Sequence, residues 1–360
     1  MPCGCSSFQT DGWRRSLRHF LKGSPSSNSR ICRMELRTPS ETSPGSGALM
    51  EALALAMDQE FPAWGILCDP EAAPEWAYFQ EWLKDGFHGK LDYMARSAHR
   101  RQKLSLAYPG LRTLVIALLF HGSGQSEKSQ SPDTTSHDRF AKIARYAVGP
   151  DYHRLFEEAF GRVITAITPF LPSGETPLIK VDHGALLEKS LARRAGLGAI
   201  GKNTLLIRPG QGSYFTLGSL LLSTPLPSRI DGYGSTEICG GCRRCLDACP
   251  TGALVEPFRL DARRCLSYLT IERPSDDPLE LRKKFGGEWF FGCDICQEVC
   301  PYNATPSHAE IEDEGRLLPV SASSGELKGF RGRNGALSRV SLTRLEYRLR
   351  EIRETESPED

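Results

Sequence analysis

Eight of the chain's twelve cysteines fall between Cys239 and Cys300. Their spacing constrains that region more than any other feature of the sequence. The first run is Cys239-x2-Cys242-x2-Cys245-x3-Cys249-Pro250. It matches the bacterial ferredoxin run for a 4Fe–4S cluster, whose fourth cysteine serves the other cluster. Three cysteines at two-residue gaps wrap one corner of a cubane, and the fourth is carried away by a turn that Pro250 helps to fix. The second run, Cys293-x2-Cys296-x3-Cys300-Pro301, has the second, third and fourth members of the same pattern, with Phe290 where the first would stand. Cys265, between the runs, can supply the missing thiolate. The sets are then Cys239, Cys242, Cys245 and Cys300 for one cluster, and Cys249, Cys265, Cys293 and Cys296 for the other. Zinc sites also use paired C-x2-C elements. They do not need this run and a near-copy of it, and eight thiolates divide into two clusters with none left over.

Composition narrows the class. The chain has 360 residues, 39% of them hydrophobic and 25% charged, with 45 basic against 44 acidic side chains. A net charge of +1 excludes a polycation that coats nucleic acid through bulk charge, but leaves room for a local basic face. The longest apolar runs, Leu114–Phe120 and Leu217–Leu222, are far short of the ~20 residues a membrane span needs. Cysteines clustered in a large chain without a clear secretory signal point to metal ligation in a reducing, cytoplasmic compartment rather than a disulfide scaffold. Cys68 reads as a small buried hydrophobe, and Cys3, Cys5 and Cys32 as incidental.

The organisation follows from shifts in pattern. Residues 1–48 are rich in Ser and Pro with no sustained apolar period. They read as a disordered leader or as residues upstream of a true start at Met34 or Met50. Residues 49–230 alternate helices and strands irregularly, which predicts an α+β layered domain. Helices are expected at Ala52–Met57, Glu75–Lys84, Asp151–Phe170 and Leu186–Ala195, and strands at Leu111–Phe120, Leu178–Asp182, Asn203–Ile207 and Ser213–Leu222. His121–His137 reads as a polar surface insert. Residues 231–305 form the ferredoxin-like cluster domain, and residues 306–360 a charged tail with one plausible helix at Leu342–Ile352. The basic residues of that tail (Lys328, Arg331, Arg333, Arg339, Arg344, Arg348, Arg350 and Arg353) suit either a solvated helix face or contact with RNA phosphates.

Clusters alone imply electron transfer. A front domain of ~180 residues, more than one ordinary domain's length, is then expected to receive the electrons. Its motifs carry a resemblance. They include Trp82–Arg96, Ala144–His153, Val181-Asp-His-Gly184, Arg194–Ile207 and Gly212–Gly218. With Cys265–Glu272 and Phe291–Pro301 they resemble the epoxyqueuosine reductase family, over about residues 50–303. The resemblance implies a fold shared with reductive dehalogenases. It implies cobalamin bound base-off, with no protein ligand to cobalt, beside the two 4Fe–4S clusters. The implied reaction is reduction of epoxyqueuosine to queuosine at the wobble position of tRNA, with an external low-potential electron donor, no membrane and a monomeric chain. Asp182 stands where the family has its proton donor. Arg101, Tyr146, Leu206, Leu217, Ser267 and Asp294 stand near where the family holds cobalamin. The plain alternative for Asp182 is a helix N-cap, for Leu206 and Leu217 core packing, and for Arg101 a solvated charge. Asp151-Tyr-His153 begins like a cobalt-ligating D-x-H-x-x-G signature, but Phe156 replaces the glycine, so His153 reads as structural. His183 departs from the Ser or Thr that usually follows the acid and adds a titratable group. Two other readings remain open at this point: a cobalamin-dependent reductase of a small molecule, and a non-catalytic eight-iron electron carrier.

Overall fold

The computed structural model describes residues 44–70, 75–121, 139–233, 237–272, 289–304 and 316–354, all within the compact unit Ser43–Asp360. Cys3, Cys5, Cys32, Met34 and nearly all of the His121–His137 insert lie outside the described residues.

The chain enters through helix α1 (Pro44–Glu60) and strand β1 (Ala63–Cys68). Helix α2 (Trp76–Lys84) and three short helices, α3 (Asp92–Arg96), α4 (Ala98–Gln102) and α5 (Leu104–Ala107), lead to β2 (Thr113–Phe120). After β3 (Phe140–Ile143) come α6 (Tyr152–Ile167), β4 (Leu178–Lys180), α7 (Glu188–Arg194), the small β5–β6 pair (Ala199–Ile200 and Leu206–Ile207) and β7 (Phe215–Leu222). The main sheet has the order β1-β2-β7-β4, and every pair is antiparallel.

Alternation along β2 divides the core. Val115, Ala117 and Leu119 join Leu53, Met57, Phe156 and Phe160 from α1 and α6 on one face. Leu114, Ile116 and Leu118 join Leu104, Tyr108 and Leu191 on the other. Because both faces are covered, β2 has no polar alternation, and its uninterrupted apolar run is explained although the sheet is antiparallel. Gly218 in β7 lets Phe156 close on the sheet: a Cβ there would meet the ring at 2.8 Å or less. Of the strand expected at Asn203–Ile207, only Leu206–Ile207 pairs, because Thr204 takes a left-handed turn at φ +66°.

The cysteine region adds α8 (Arg244–Ala248), the β8–β9 pair (Leu254–Glu256 and Arg259–Leu260), α9 (Leu266–Ile271), β10 (Trp289–Phe291) and α10 (Ile295–Glu298). It is sewn to the front of the chain. Trp82 Nε1 donates to Leu260 O at 2.7 Å, Lys90 N to the Tyr268 hydroxyl at 2.8 Å, and Ala262 N to Phe87 O at 2.9 Å.

Residues 316–354 correct the expectation of a solvated charged tail. Strand β11 (Leu317–Pro319) joins β3 and β10 in a three-stranded sheet of order β10-β3-β11. Helix α11 (Ser324–Arg333) starts at a capping box between Ser323 and Glu326. With α12 (Leu342–Glu354) it buries Leu327, Phe330, Leu345, Leu349 and Ile352 against Ile143, Phe290 and Phe291. Several arginines expected to face solvent or RNA are consumed here. Arg353 donates to Val320 O and Ala322 O, Arg348 to Trp289 O at 2.6 Å, and Arg344 to Ile271 O.

At the centre of this arrangement Asp294, 1% exposed, accepts from Arg145 N at 2.7 Å, Gln297 Nε2 at 3.0 Å and Arg316 Nη2 at 3.2 Å. Arg316 also reaches Ile143 O and Glu298. Truncating one member of such a buried pair leaves the other charge unmatched. Arg316→Ala is therefore expected to cost about 3–5 kcal/mol, read as a lowered urea midpoint. A loss under 1 kcal/mol would mean that Asp294 does not depend on this partner.

Candidate active site and cysteine cradle

The chain leaves β4 through Val181, which is buried, and turns at Asp182 with φ +57°. Asp is among the few residues that tolerate this left-handed conformation. Gly184 follows at φ +115°, and its missing Cβ is where the Tyr108 hydroxyl stands. That hydroxyl accepts from Ala185 N at 2.9 Å. The turn presents a half-exposed Asp182 carboxylate with three neighbours. The Tyr152 hydroxyl donates to Asp182 Oδ2. The Asp182 backbone N–H donates to Glu188 Oε1 at 3.1 Å. His153 Nε2 lies 4.0 Å from the same Oδ2. Helix α7 starts only after Leu187 and has no side-chain cap, so Asp182 is not its N-cap.

Charge and burial tune these neighbours. Burial and the nearby Asp182 charge hold the Tyr152 proton far more tightly than in an ordinary tyrosine. The same two causes push the Glu188 carboxyl up to about 8. Burial, then the Arg339 guanidinium, lower the His153 pKa. Arg339 pairs with Asp151, the N-cap of α6, and lies 5.0 Å from the centre of the Tyr152 ring. His183 faces His153 with ring centres 6.4 Å apart and 13° between planes. Its Nδ1 donates to Val181 O at 2.6 Å.

The other expected site residues fall into two groups. Arg101 and Tyr146 share the space around Asp182. Arg101 is 8% exposed, donates from Nη1 to Leu186 O at 2.7 Å, and has its buried Nε without a hydrogen-bond partner. Tyr146 lies 6.1 Å from Tyr152 and 6.3 Å from Phe291, ring centre to ring centre. Burial, with Asp182, Asp294 and Glu272 nearby, holds its proton tightly. Leu206 and Leu217 instead point their side chains into the core beneath the sheet. Ser267 is half-buried at the start of α9, and the Asp294 carboxylate is spent on internal partners. Sequence reasoning missed Tyr152, Glu188, Tyr93 and Arg339. Tyr152 was inside the Asp151-Tyr-His153 motif weighed only for its histidine; the others carried no spacing signal.

All nine cysteines among the described residues are free thiols. Cys245 feels the charges of Cys239 and Cys300, and Cys300 those of Cys239 and Cys242. Cys293 feels Cys265 and Cys249, while Cys296 feels Cys293, Cys265 and, across the divide, Cys245. The structure thus brings the eight together as two adjacent groups of four. The first lines a cavity of about 260 Å³ with Lys202, Ile207, Arg244 and Tyr302. Lys202 Nζ ties its wall by donating to Gly240 O at 2.6 Å and Cys242 O at 2.9 Å. Cys68 lies apart, half-buried at the end of β1 and within 3.6 Å of Asp69. Among the described residues no group of three or more His, Cys, Asp or Glu is placed to hold a single metal ion, and no helix is long and apolar enough to cross a membrane.

Comparisons with known proteins agree with this layout. The family described as "4Fe-4S double cluster binding domain" matches residues 238–303, and that described as "Epoxyqueuosine reductase QueG, DUF1730" matches residues 101–176. An epoxyqueuosine reductase of Pseudomonas aeruginosa is 42% identical over 66% of this chain and 64% of its own length. One of Xanthomonas campestris pv. campestris is 41% identical over 72% of this chain and 71% of its own. A crystal structure of epoxyqueuosine reductase with an epoxyqueuosine-modified tRNA-Tyr stem loop superposes with a TM-score of 0.70 at 26% identity, covering 86% of this chain and 81% of that one. On sequence, cysteine layout and fold together, the chain belongs to the epoxyqueuosine reductase family of oxidoreductases.

Proposed function

We propose that this chain reduces the epoxide of epoxyqueuosine in tRNA to the alkene of queuosine, with Asp182 protonating the departing oxygen. The balance is two electrons and two protons in, and one water out. The observation that carries the assignment is the environment of the Asp182 carboxylate. Tyr152 keeps its own proton and donates it to Oδ2. A transferable proton on Asp182 therefore sits on Oδ1, the oxygen left to meet a substrate. A positioned carboxylic acid of this kind contributes to breaking a C–O bond by neutralising the alkoxide as it forms. His153 and the stacked His183 offer a route for replacing that proton from solvent.

Two groups of four free thiols suit two 4Fe–4S clusters by donor chemistry and grouping. The unsatisfied Arg101 Nε is a buried donor suited to a polar edge of cobalamin. Arg101 and Tyr146 would hold that cofactor through side chains. Leu206 and Leu217 would do so through backbone groups, and Ser267 and Asp294 by closing over it from the cluster side. Cobalamin supplies, when bound, two-electron reduction at carbon, and the clusters supply the electrons one at a time from an external low-potential donor. The chain's own residues orient the nucleoside, exclude water and place the acid. The tRNA substrate is carried over from the family and from the relative solved with a modified stem loop. The chain is taken to act as a cytoplasmic monomer.

Asp182→Asn keeps the hydrogen-bonding shape and removes the transferable proton. It is expected to lower single-turnover formation of queuosine by roughly 10²–10⁴-fold while iron content and the cobalamin spectrum stay at wild-type levels. Full turnover in that variant would assign the proton to another group.

Glu188 gives a stability signature. Its folded-state pKa, about 8, lies above its ordinary 4.5. The folded chain therefore holds a proton that the unfolded chain has released, and stability falls as pH rises from about 4.5 towards 8. Glu188→Gln retains an acceptor for Asp182 N–H without ionising. Its melting temperature should match the wild type near pH 5 and exceed it at pH 8.5. Equal melting temperatures at both pH values would show that Glu188 is not strained by ionisation.

A further inference from the structure

We propose that the short helices α3 to α5, which border the Asp182 site, form the surface that holds the phosphate backbone of the RNA substrate, with Tyr93 placed to stack on a base entering the site. The inference rests on the reading above that the substrate is a tRNA, and it names where on this chain the RNA lies.

This surface carries charge left unspent. Lys90, Arg96, Arg100 and Lys103 are exposed, and Asp92 is the one acidic residue between positions 90 and 107. Among the described residues, no side chain of these four makes an ion pair or hydrogen bond. Lys90 engages Tyr268 only through its backbone N–H. Many basic residues elsewhere are already engaged, although Lys328, Arg333 and Arg350 are exposed and likewise carry no ion pair or side-chain hydrogen bond among the described residues. Arg112, Arg162, Arg193 and Arg259 each hold a carboxylate, and Arg344, Arg348 and Arg353 hold backbone carbonyls. Four unpaired cations on one short stretch repel one another, in a protein whose net charge is only +1. A polyanion along that surface would turn the repulsion into attraction, with release of its counterions.

Position supplies the second half. Tyr93, 49% exposed, is within electrostatic reach of Arg101, Asp182 and Glu272. Ser97 Oγ donates to Tyr93 O at 2.5 Å and anchors its turn. The stretch also supplies Arg101, whose guanidinium turns inward to Leu186 O. Thus α3 to α5 present one cation inward and the other four outward. Carboxyl groups gather at the site: Asp182, Asp294 and Glu272 act on Tyr146, and Asp182 acts on Glu188. A site lined by carboxyls and tyrosines offers phosphates little attraction, so the cations that hold them lie outside the mouth and an uncharged base enters it. Tyr93 stands at that transition. Aromatic stacking tolerates any base and adds little salt dependence of its own.

The test uses the reconstituted full-length holoenzyme and a fluorescent anticodon stem loop bearing epoxyqueuosine, with anisotropy read across a salt series. For Arg96→Ala/Arg100→Ala/Lys103→Ala, Kd should rise roughly 100-fold at low salt, and the slope of log Kd against log salt should fall by about three. Arg96→Lys/Arg100→Lys should retain both the affinity and the slope. Tyr93→Ala should weaken binding with the slope unchanged. Lys328→Ala/Arg333→Ala/Arg350→Ala, on α11 and α12, should bind like the wild type. The proposal is overturned if the triple alanine variant keeps wild-type Kd and slope, or if the charge-retaining pair loses as much as the alanine variant. In either case, wild-type conversion of the same RNA to queuosine would leave the proposed reaction standing. A wild type that neither binds nor converts the RNA would instead overturn the substrate reading, and the surface with it.

Discussion

A single buried carboxylate organises much of this molecule. Asp294 follows Cys293, one of the eight gathered thiols, and accepts hydrogen bonds from Arg145, Gln297 and Arg316. Arg145 N fixes the end of β3 next to Tyr146. Gln297 fixes α10, which carries Cys296. Arg316 fixes the start of β11. Burial alone would drive a carboxyl towards its neutral form. The charged partner and the backbone donor offset that only in part, and the need for all of them at once specifies how the cysteine region meets β3 and β11. Cysteine placement and acid placement are therefore one structural problem in this chain.

The site shows a second division of labour. Asp182 sits in a left-handed turn, half open, while Tyr152, His153 and Glu188 around it are half-buried. Tyr152 is fixed as a donor chiefly by its burial. Arg339, from the segment between α11 and α12, grips Asp151 and lies over the same tyrosine. A carboxyl group held by one oxygen has little freedom to turn, so its second oxygen faces one direction.

How much of this was legible in the sequence depended on the length of each signal. The cysteine runs could be read because ligand spacing is a local property. β2 could be read because eight consecutive residues, buried on both faces, leave a long apolar run. β3, β10 and β11 could not: three or four residues give too few positions for a period. α12 was foreseen as a helix but not as core, since its buried Leu345, Leu349 and Ile352 are outnumbered by charges. Asp182 was reached through family resemblance, and its surroundings were hidden because Tyr152, and Arg339 above it, come from distant places in the chain, while Glu188, six residues on, carried no spacing signal. The cobalamin residues were mixed in the same way. Arg101 and Tyr146 face the site, whereas Leu206 and Leu217 show their side chains only to the core.

The small sheet β10-β3-β11 has a consequence for how the protein is made. Its central strand, near residue 140, hydrogen-bonds to strands near 290 and 317. During synthesis β3 emerges long before either neighbour, with Ala141 and Ile143 destined for the core. Its edges stay unpaired until almost the whole chain has left the ribosome, and contacts of such wide separation form slowly. Arg339, which lies over the Tyr152 ring, arrives later still. The last of the eight thiols, Cys300, emerges between β10 and β11, so the cysteine set is completed only shortly before β3 gains its second neighbour.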